Sequence, residues 1–246
     1  MTSFRDGLTS VLIGASGGIG TAVQSLLEQN ARVRRIYATS RVPDGRHAGK
    51  TIPLALDLND EPSIERLAER IRADGMAPDL VFIASGILHR EPSIRPEKSW
   101  RAIDAEAMEE VFRINTIGPA LIGKHLLPMM PKTGKSVFAA ISARVGSIGD
   151  NRLGGWHAYR ASKAALNMIL RGFSIELARR APDAVCIGLH PGTVDTGLSK
   201  PFQANVPKER LLTAEQSAAC LLEVIDSVTP ADSGGVFGWD GSRIPE

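Results

Sequence analysis

The sequence has little cysteine, with two in 246 residues. Cys186 lies in AVCIGL and Cys220 in SAACLLEV, both apolar runs far from any CxxC spacing. That setting argues against a thiolate metal cage and predicts buried thiols in a reducing, cytoplasmic compartment. Histidine is also scarce: His47, His89, His125, His157 and His190 make no HxxxH or HExxH pattern, so no metal site is expected. Excess charge is missing as well. There are 29 Lys+Arg against 27 Asp+Glu, a formal net charge of +2. Such scattered, nearly balanced charge argues against nucleic acid as a partner. No segment approaches the ~18 uninterrupted apolar residues of a membrane span, so no membrane partner is expected. The opening MTSFRDGLTSVLIG lacks a basic stretch and a small-residue cleavage site, and reads as a first strand rather than a secretion signal.

What is present is alternation. Hydrophobic residues make up 43% of the chain, enough at this length for one domain over residues 1–246 with a substantial core. Strand-like runs fall at 8–14, 32–40, 50–57, 79–85, 135–142, 184–190 and 234–240. Between them the apolar residues take the 3.6 period, as in Ile64, Leu67, Ala68 and Ile71, or Ala218, Leu221, Leu222 and Ile225. A long helix is expected around 105–130. Asp60 before Glu61–Pro62 reads as an N-cap with Pro at the first helical position. Apolar strands separated by helices imply parallel βαβ units. The predicted fold is α/β, a single-domain Rossmann-type doubly wound, mainly parallel seven-stranded sheet with helices on both faces. The least regular stretches, 86–103 and 191–211, follow strand C-terminal ends, the ligand edge of such a sheet, and read as substrate walls.

Two short stretches carry chemistry. The first strand runs into GASGGIG, residues 14 to 20, with TAVQSLLEQ behind it as a helix. Glycine at a strand-to-helix turn permits positive φ and lets backbone N–H groups approach a phosphate at the helix N-terminus. Gly14, Ser16, Gly18, Ile19 and Gly20 are therefore candidate cofactor residues. At the end of the second strand, where an acid would bind a ribose 2′-hydroxyl, stand Ser40 and Arg41. Arginine can grip a 2′-phosphate with its planar fork, so NADP(H) is expected over NAD(H). In HAYRASKAAL, Tyr159 and Lys163 are four residues apart and share a helix face. The small residues around them leave room for something large and flat.

GASGGIG together with YRASK identifies the chain as resembling the short-chain dehydrogenases/reductases along essentially its full length, most like the carbonyl-reductase/C-factor-like group. The further motifs are Asp57–Leu58 after the third strand, Ala84–Ser85–Gly86 after the fourth, Asn115 in RINTIG, and HPGTVDT with Pro191, Gly192, Val194 and Thr196. The resemblance implies that all of these, with Tyr159 and Lys163, bind the cofactor or serve catalysis. It implies hydride transfer to a small aldehyde or ketone, with Tyr159 as general acid, Lys163 on the nicotinamide ribose and Asn115 anchoring a proton-relay water. Bringing a phenol from ~10 to about 7 takes roughly 3 units, or ~4 kcal/mol, and a lysine ammonium one turn away is expected to supply part of it. One departure stands out. The family's second serine after strand five is Ala143 here, so Ser142, or else Ser147, is expected to supply the hydroxyl that polarises the carbonyl. A cofactor-binding signalling or regulatory protein with weak turnover is the alternative reading. An epimerase on the related extended scaffold fits poorly, because no substrate domain of ~100 residues follows. The apolar helices around 105–130 and through Met168, Ile169 and Phe173 predict a homodimer or homotetramer.

Overall fold

A computed structural model describes residues 1–43, 49–204, 206–207 and 210–245. In chain order the strands are β1 (Leu8–Ile13), β2 (Val33–Ser40), β3 (Thr51–Ala55), β4 (Leu80–Ile83), β5 (Ser136–Ile141), β6 (Ala184–His190), β7 (Thr193–Val194), β8 (Leu211–Leu212) and β9 (Val236–Gly238). The seven predicted runs make one sheet in the order β3-β2-β1-β4-β5-β6-β9. Every pairing in it is parallel, so the mainly parallel sheet of the expectation is wholly parallel.

Side chains alternate along each strand, and here both faces are apolar. Leu8 and Leu12 of β1, Leu80 and Phe82 of β4, and Val185, Ile187 and Leu189 of β6 point to one side. There they pack on helices α1 (Gly18–Gln29) and α6 (Ala214–Ser227). Val11, Ile13, Val81, Ile83, Phe138 and Cys186 point to the other, against α2 (Glu61–Ala73), α4 (Gly118–Leu126) and α5 (His157–Ala178). A smaller satellite core of Ile87, Ile94, Val111 and Ala158 lies under the loop after β4 and includes a residue of α3 (Ala105–Phe112).

Four expectations change in detail. The helix expected over 105–130 is broken: between α3 and α4 the chain makes a π turn, Arg113–Ile117, centred on Asn115. Pro119 accounts for part of this, since it cannot donate the bond that the Asn115 carbonyl would accept in an α-helix. The loop 191–211 is not wholly irregular, because β7 and β8 pair within it as a two-stranded ribbon. Positions 205, 208 and 209 of that loop lie outside the described residues, as does His47. Asp60 does precede α2, but its carboxylate makes no cap and lies 3.2 Å from Arg66, while Pro62 is the second helical residue. Cys186 is buried as expected, whereas Cys220 is only half-buried.

Candidate active site

The strand order reverses between β1 and β4, and the loops leaving those two strands part there to open a groove. The groove has two lobes that share Ser16, Gly17, Ala84, Ser85 and Gly86. The smaller, about 350 Å³, is also lined by Gly14, Ser40, Arg41, Asp57 and Leu58. The larger, about 680 Å³, adds Gly18, Ile19, Ser142, Ala143, Tyr159, Lys163, Pro191, Gly192, Val194 and Thr196. Three predicted residues, Gly20, Asn115 and Ser147, stay behind the walls. Gly20 lies against the carbonyl of Gly14, where a β-carbon would collide with backbone, so it serves the close approach of α1 to the turn. Asn115 is fully buried: its Oδ1 accepts from Ile87 N at 2.8 Å, and its Nδ2 donates to Ile87 O at 2.8 Å and to Ser162 Oγ at 3.1 Å.

The glycines shape the groove by what they leave out. Gly14 has φ +86, and a β-carbon there would come within 2.5 Å of Ser85 Oγ. A β-carbon on Gly86 would lie 3.4 Å from Asn115 Oδ1 and 3.5 Å from Lys163 Nζ, ordinary contact distances, so Gly86 marks where the chain after β4 packs over those two groups. The resulting cradle of backbone, with an arginine at one end and a tyrosine–lysine pair at the other, fits a dinucleotide.

Helix α5 carries the reactive pair. Lys163 is 2% exposed, its Nζ donates to Ile141 O at 2.7 Å, and it stands 5.7 Å from the Tyr159 ring centre. Burial pulls the lysine down to about 7 and pushes the tyrosine up to about 12. This runs opposite to the direction that the lysine's charge alone would give the tyrosine. Desolvation disfavours the charged form of each group, and the lysine's hydrogen bond goes to a backbone carbonyl. The charge argument alone leaves out that burial. His190, on the wall of the larger lobe, is held near 4, chiefly by burial, and its Nδ1 is buried without a hydrogen-bond partner among the described residues.

The serines after β5 are both engaged. Ser142 lines the larger lobe, but its hydroxyl donates to Asn167 Oδ1 at 2.6 Å. Ser147 Oγ accepts from Asp150 N at 3.1 Å in the next turn. Ala143 is buried in the lobe wall.

Sequence reasoning missed several wall residues. Gly17 lines both lobes, and Trp156 and Phe202 face the larger one, with ring centres 5.1 Å apart. His89 meets Phe202 edge-on at 5.5 Å and Trp156 meets Tyr159 at 6.3 Å, so three loops converge on the tyrosine through aromatic rings. For Phe202 the available signal was a large apolar residue inside the irregular stretch 191–211; Trp156 and Gly17 lie outside both irregular stretches. A side-chain group outside the groove was also invisible to motif spacing: Glu61, Glu65 and His125 bring one ligand atom each within 4.8 Å of one another. There Lys124 Nζ already lies 2.6 Å from Glu61 Oε1.

Residues 9–207 match the family described as short chain dehydrogenase. The chain belongs to that family, and it is an NAD(P)-dependent oxidoreductase. Among its relatives is the 1-hydroxy-2-glutathionyl-2-methyl-3-butene dehydrogenase of Rhodococcus sp. (strain AD45), 30% identical over 96% of this chain and 98% of the relative. The C-signal protein of Myxococcus xanthus is 36% identical over 58% of this chain and 81% of its own length. The NADPH-bound carbonyl reductase of chicken fatty liver has a similar structure, with TM-score 0.82 and 26% identity over 99% of this chain and 95% of that one. Among the described residues no helix is long and apolar enough to cross a membrane.

Proposed function

We propose that the protein reduces a small aldehyde or ketone with NADPH, using Tyr159 as the general acid. The observation that carries this reading is the pair Tyr159 and Lys163, one turn apart on α5 and both lining the larger lobe. NADPH, when bound, supplies the hydride to the carbonyl carbon. Tyr159 then gives its hydroxyl proton to the carbonyl oxygen, and a phenol pushed up to about 12 keeps that proton until the oxygen acquires charge. Lys163, whose pKa burial pulls down toward the neutral range, is placed to return a proton to the phenolate. Its Nζ is also the group that would hold the nicotinamide ribose hydroxyls. Asn115 keeps the segment after β4 against α5, and its carbonyl, denied a helical partner by Pro119, is the anchor assigned to a relay water. Carbonyl polarisation falls mainly to Tyr159, since Ser142 would have to exchange its bond to Asn167 to contribute.

Arg41 in the smaller lobe, with no acid beside Ser40 at the end of β2, supports NADP(H) over NAD(H), as does the NADPH-bound relative. Exposed Ile117, Met168 and Ile175 on the outer faces of the π turn and α5 support a homodimer or homotetramer. Phe173, by contrast, turns inward to Phe138 at 6.0 Å. Two free cysteines support a cytoplasmic location. Ala143 and the engaged Ser142 favour a second reading, a cofactor-binding signalling protein with weak turnover.

The test is NADPH oxidation over a panel of aldehydes and ketones, with NADH in parallel. Turnover of at least one carbonyl, faster with NADPH, supports the reductase. NADPH binding without turnover of any carbonyl favours the second reading.

A further inference from the structure

Helix α5 starts without a cap of its own. Trp156 precedes its first residue in the left-handed region, at φ 50 and ψ 43, and its side chain caps nothing. A non-glycine residue is held there only against the clash of its β-carbon with the backbone. The N–H groups of the first turn have no partner within the helix and need one from elsewhere. The partner comes from the loop after β4. Glu97 Oε1 accepts from Ala158 N at 3.1 Å, across 61 residues of sequence, and Glu97 O accepts from Trp156 N at 2.6 Å. Glu97 is 7% exposed, a costly place for a carboxylate unless it is hydrogen-bonded at the positive end of a helix.

A second observation meets the first at the same residue. The side chain of Ala158 lies in the satellite core with Ile87, Ile94 and Val111, so the loop grips this residue by its amide and its methyl group together. Tyr159 is next in the chain, and Trp156 touches both Tyr159 and Phe202 of the opposite wall.

We propose that Glu97 is a positioning residue for Tyr159. By capping α5 from the substrate loop, it fixes the proton donor and the wall beside it as one unit. This rests on the reading of Tyr159 as the acid.

The test compares Glu97→Ala with Glu97→Gln, which keeps an acceptor oxygen for Ala158 N. Glu97→Ala is expected to lower kcat by about tenfold or more, because small displacements of a catalytic group are expensive. Its NADPH dissociation constant should stay within about twofold, since the glycine turn is untouched. Glu97→Gln should recover most of the lost kcat. Amide exchange at Ala158, read in the same proteins, should quicken in Glu97→Ala and remain near wild type in Glu97→Gln. If Glu97→Ala does not fold, Glu97→Asp, one methylene short of Ala158, is read in its place. Wild-type kcat in a variant whose Ala158 exchange has quickened would overturn the positioning role, as would equal impairment of the Gln and Ala variants. If the wild-type protein reduces no carbonyl, the proposed reaction fails by itself. The exchange measurement still judges Glu97, and unchanged exchange in Glu97→Ala overturns the cap.

Discussion

Around Gly14, Gly17 and Gly86 the groove is walled largely by backbone, and Arg41 stands exposed at its end. Around Tyr159 and Lys163 the wall is made of long side chains, enclosed by aromatic rings and drawn far from their ordinary pKa values. On the proposed reading the first lobe discriminates by the shape of its backbone and by the charge of Arg41, which stands there with Asp57 and Arg90. The second depends on burial, so each group there changes the behaviour of its neighbours. Replacing Arg41 in the first lobe should therefore move affinity alone, whereas replacing Lys163 in the second should move turnover and affinity together.

The largest coupled effect is expected for Lys163→Ala. It should reduce turnover by ~10²–10³, the range for loss of one aimed catalytic donor. NADPH affinity should fall by about tenfold, or ~1.4 kcal/mol, because the same Nζ is assigned to the ribose. Titration and steady-state kinetics check both; loss of only one would separate the two roles. Ala143→Ser should raise turnover on unactivated ketones by about tenfold, less than the ~10²–10³ of a well-aimed donor. A hydroxyl against the apolar wall costs ~1–3 kcal/mol when unpartnered. An unchanged rate would mean the lobe has no use for a hydroxyl at that point.

In the smaller lobe, Arg41→Ala should lower the ratio of NADPH to NADH affinity by about tenfold while leaving kcat with saturating NADPH nearly intact. A fall in kcat as large as the fall in affinity would erase the contrast between the lobes. The smallest effect concerns stability. Lys163 is pulled from 10.5 down to about 7 in the fold, so the unfolded chain binds more protons between those values. Its burial penalty is therefore full below about 7 and fades as pH rises toward 10.5, which means this group adds stability with rising pH. Tyr159, raised from 10.0 to about 12, acts oppositely, and only above pH 10.0. Compared with Lys163→Met, the wild-type Tm should gain by a few degrees between pH 7 and 9, as read by thermal melts. A constant difference would mean the lysine titrates as if exposed.

The same contrast explains what could be read from the sequence. The seven strands were legible because both sheet faces are apolar, leaving runs such as SVFAAI and AVCIGL between turns. Gly14 and Arg41 were legible as groove residues because the turns that end the first two strands are set by local spacing. Tyr159 and Lys163 were legible as a helical pair, but their protonation was not, since burial is a property of the assembled walls. Asn115 could be found by its motif, while the π turn around it needs Pro119 and the bonds to Ile87 to be seen together. Glu97 left no local signal, because its partner is 61 residues away.

The central claim is that Tyr159 donates the proton in the larger lobe. Its most direct test is kcat and NADPH dissociation constant for Tyr159→Phe beside wild type, on the best carbonyl substrate. The account predicts a fall in kcat of ~10²–10⁴, the range for a general acid, with affinity nearly unchanged, because the substitution removes a hydroxyl and little packing. Wild-type kcat in the phenylalanine variant would contradict it.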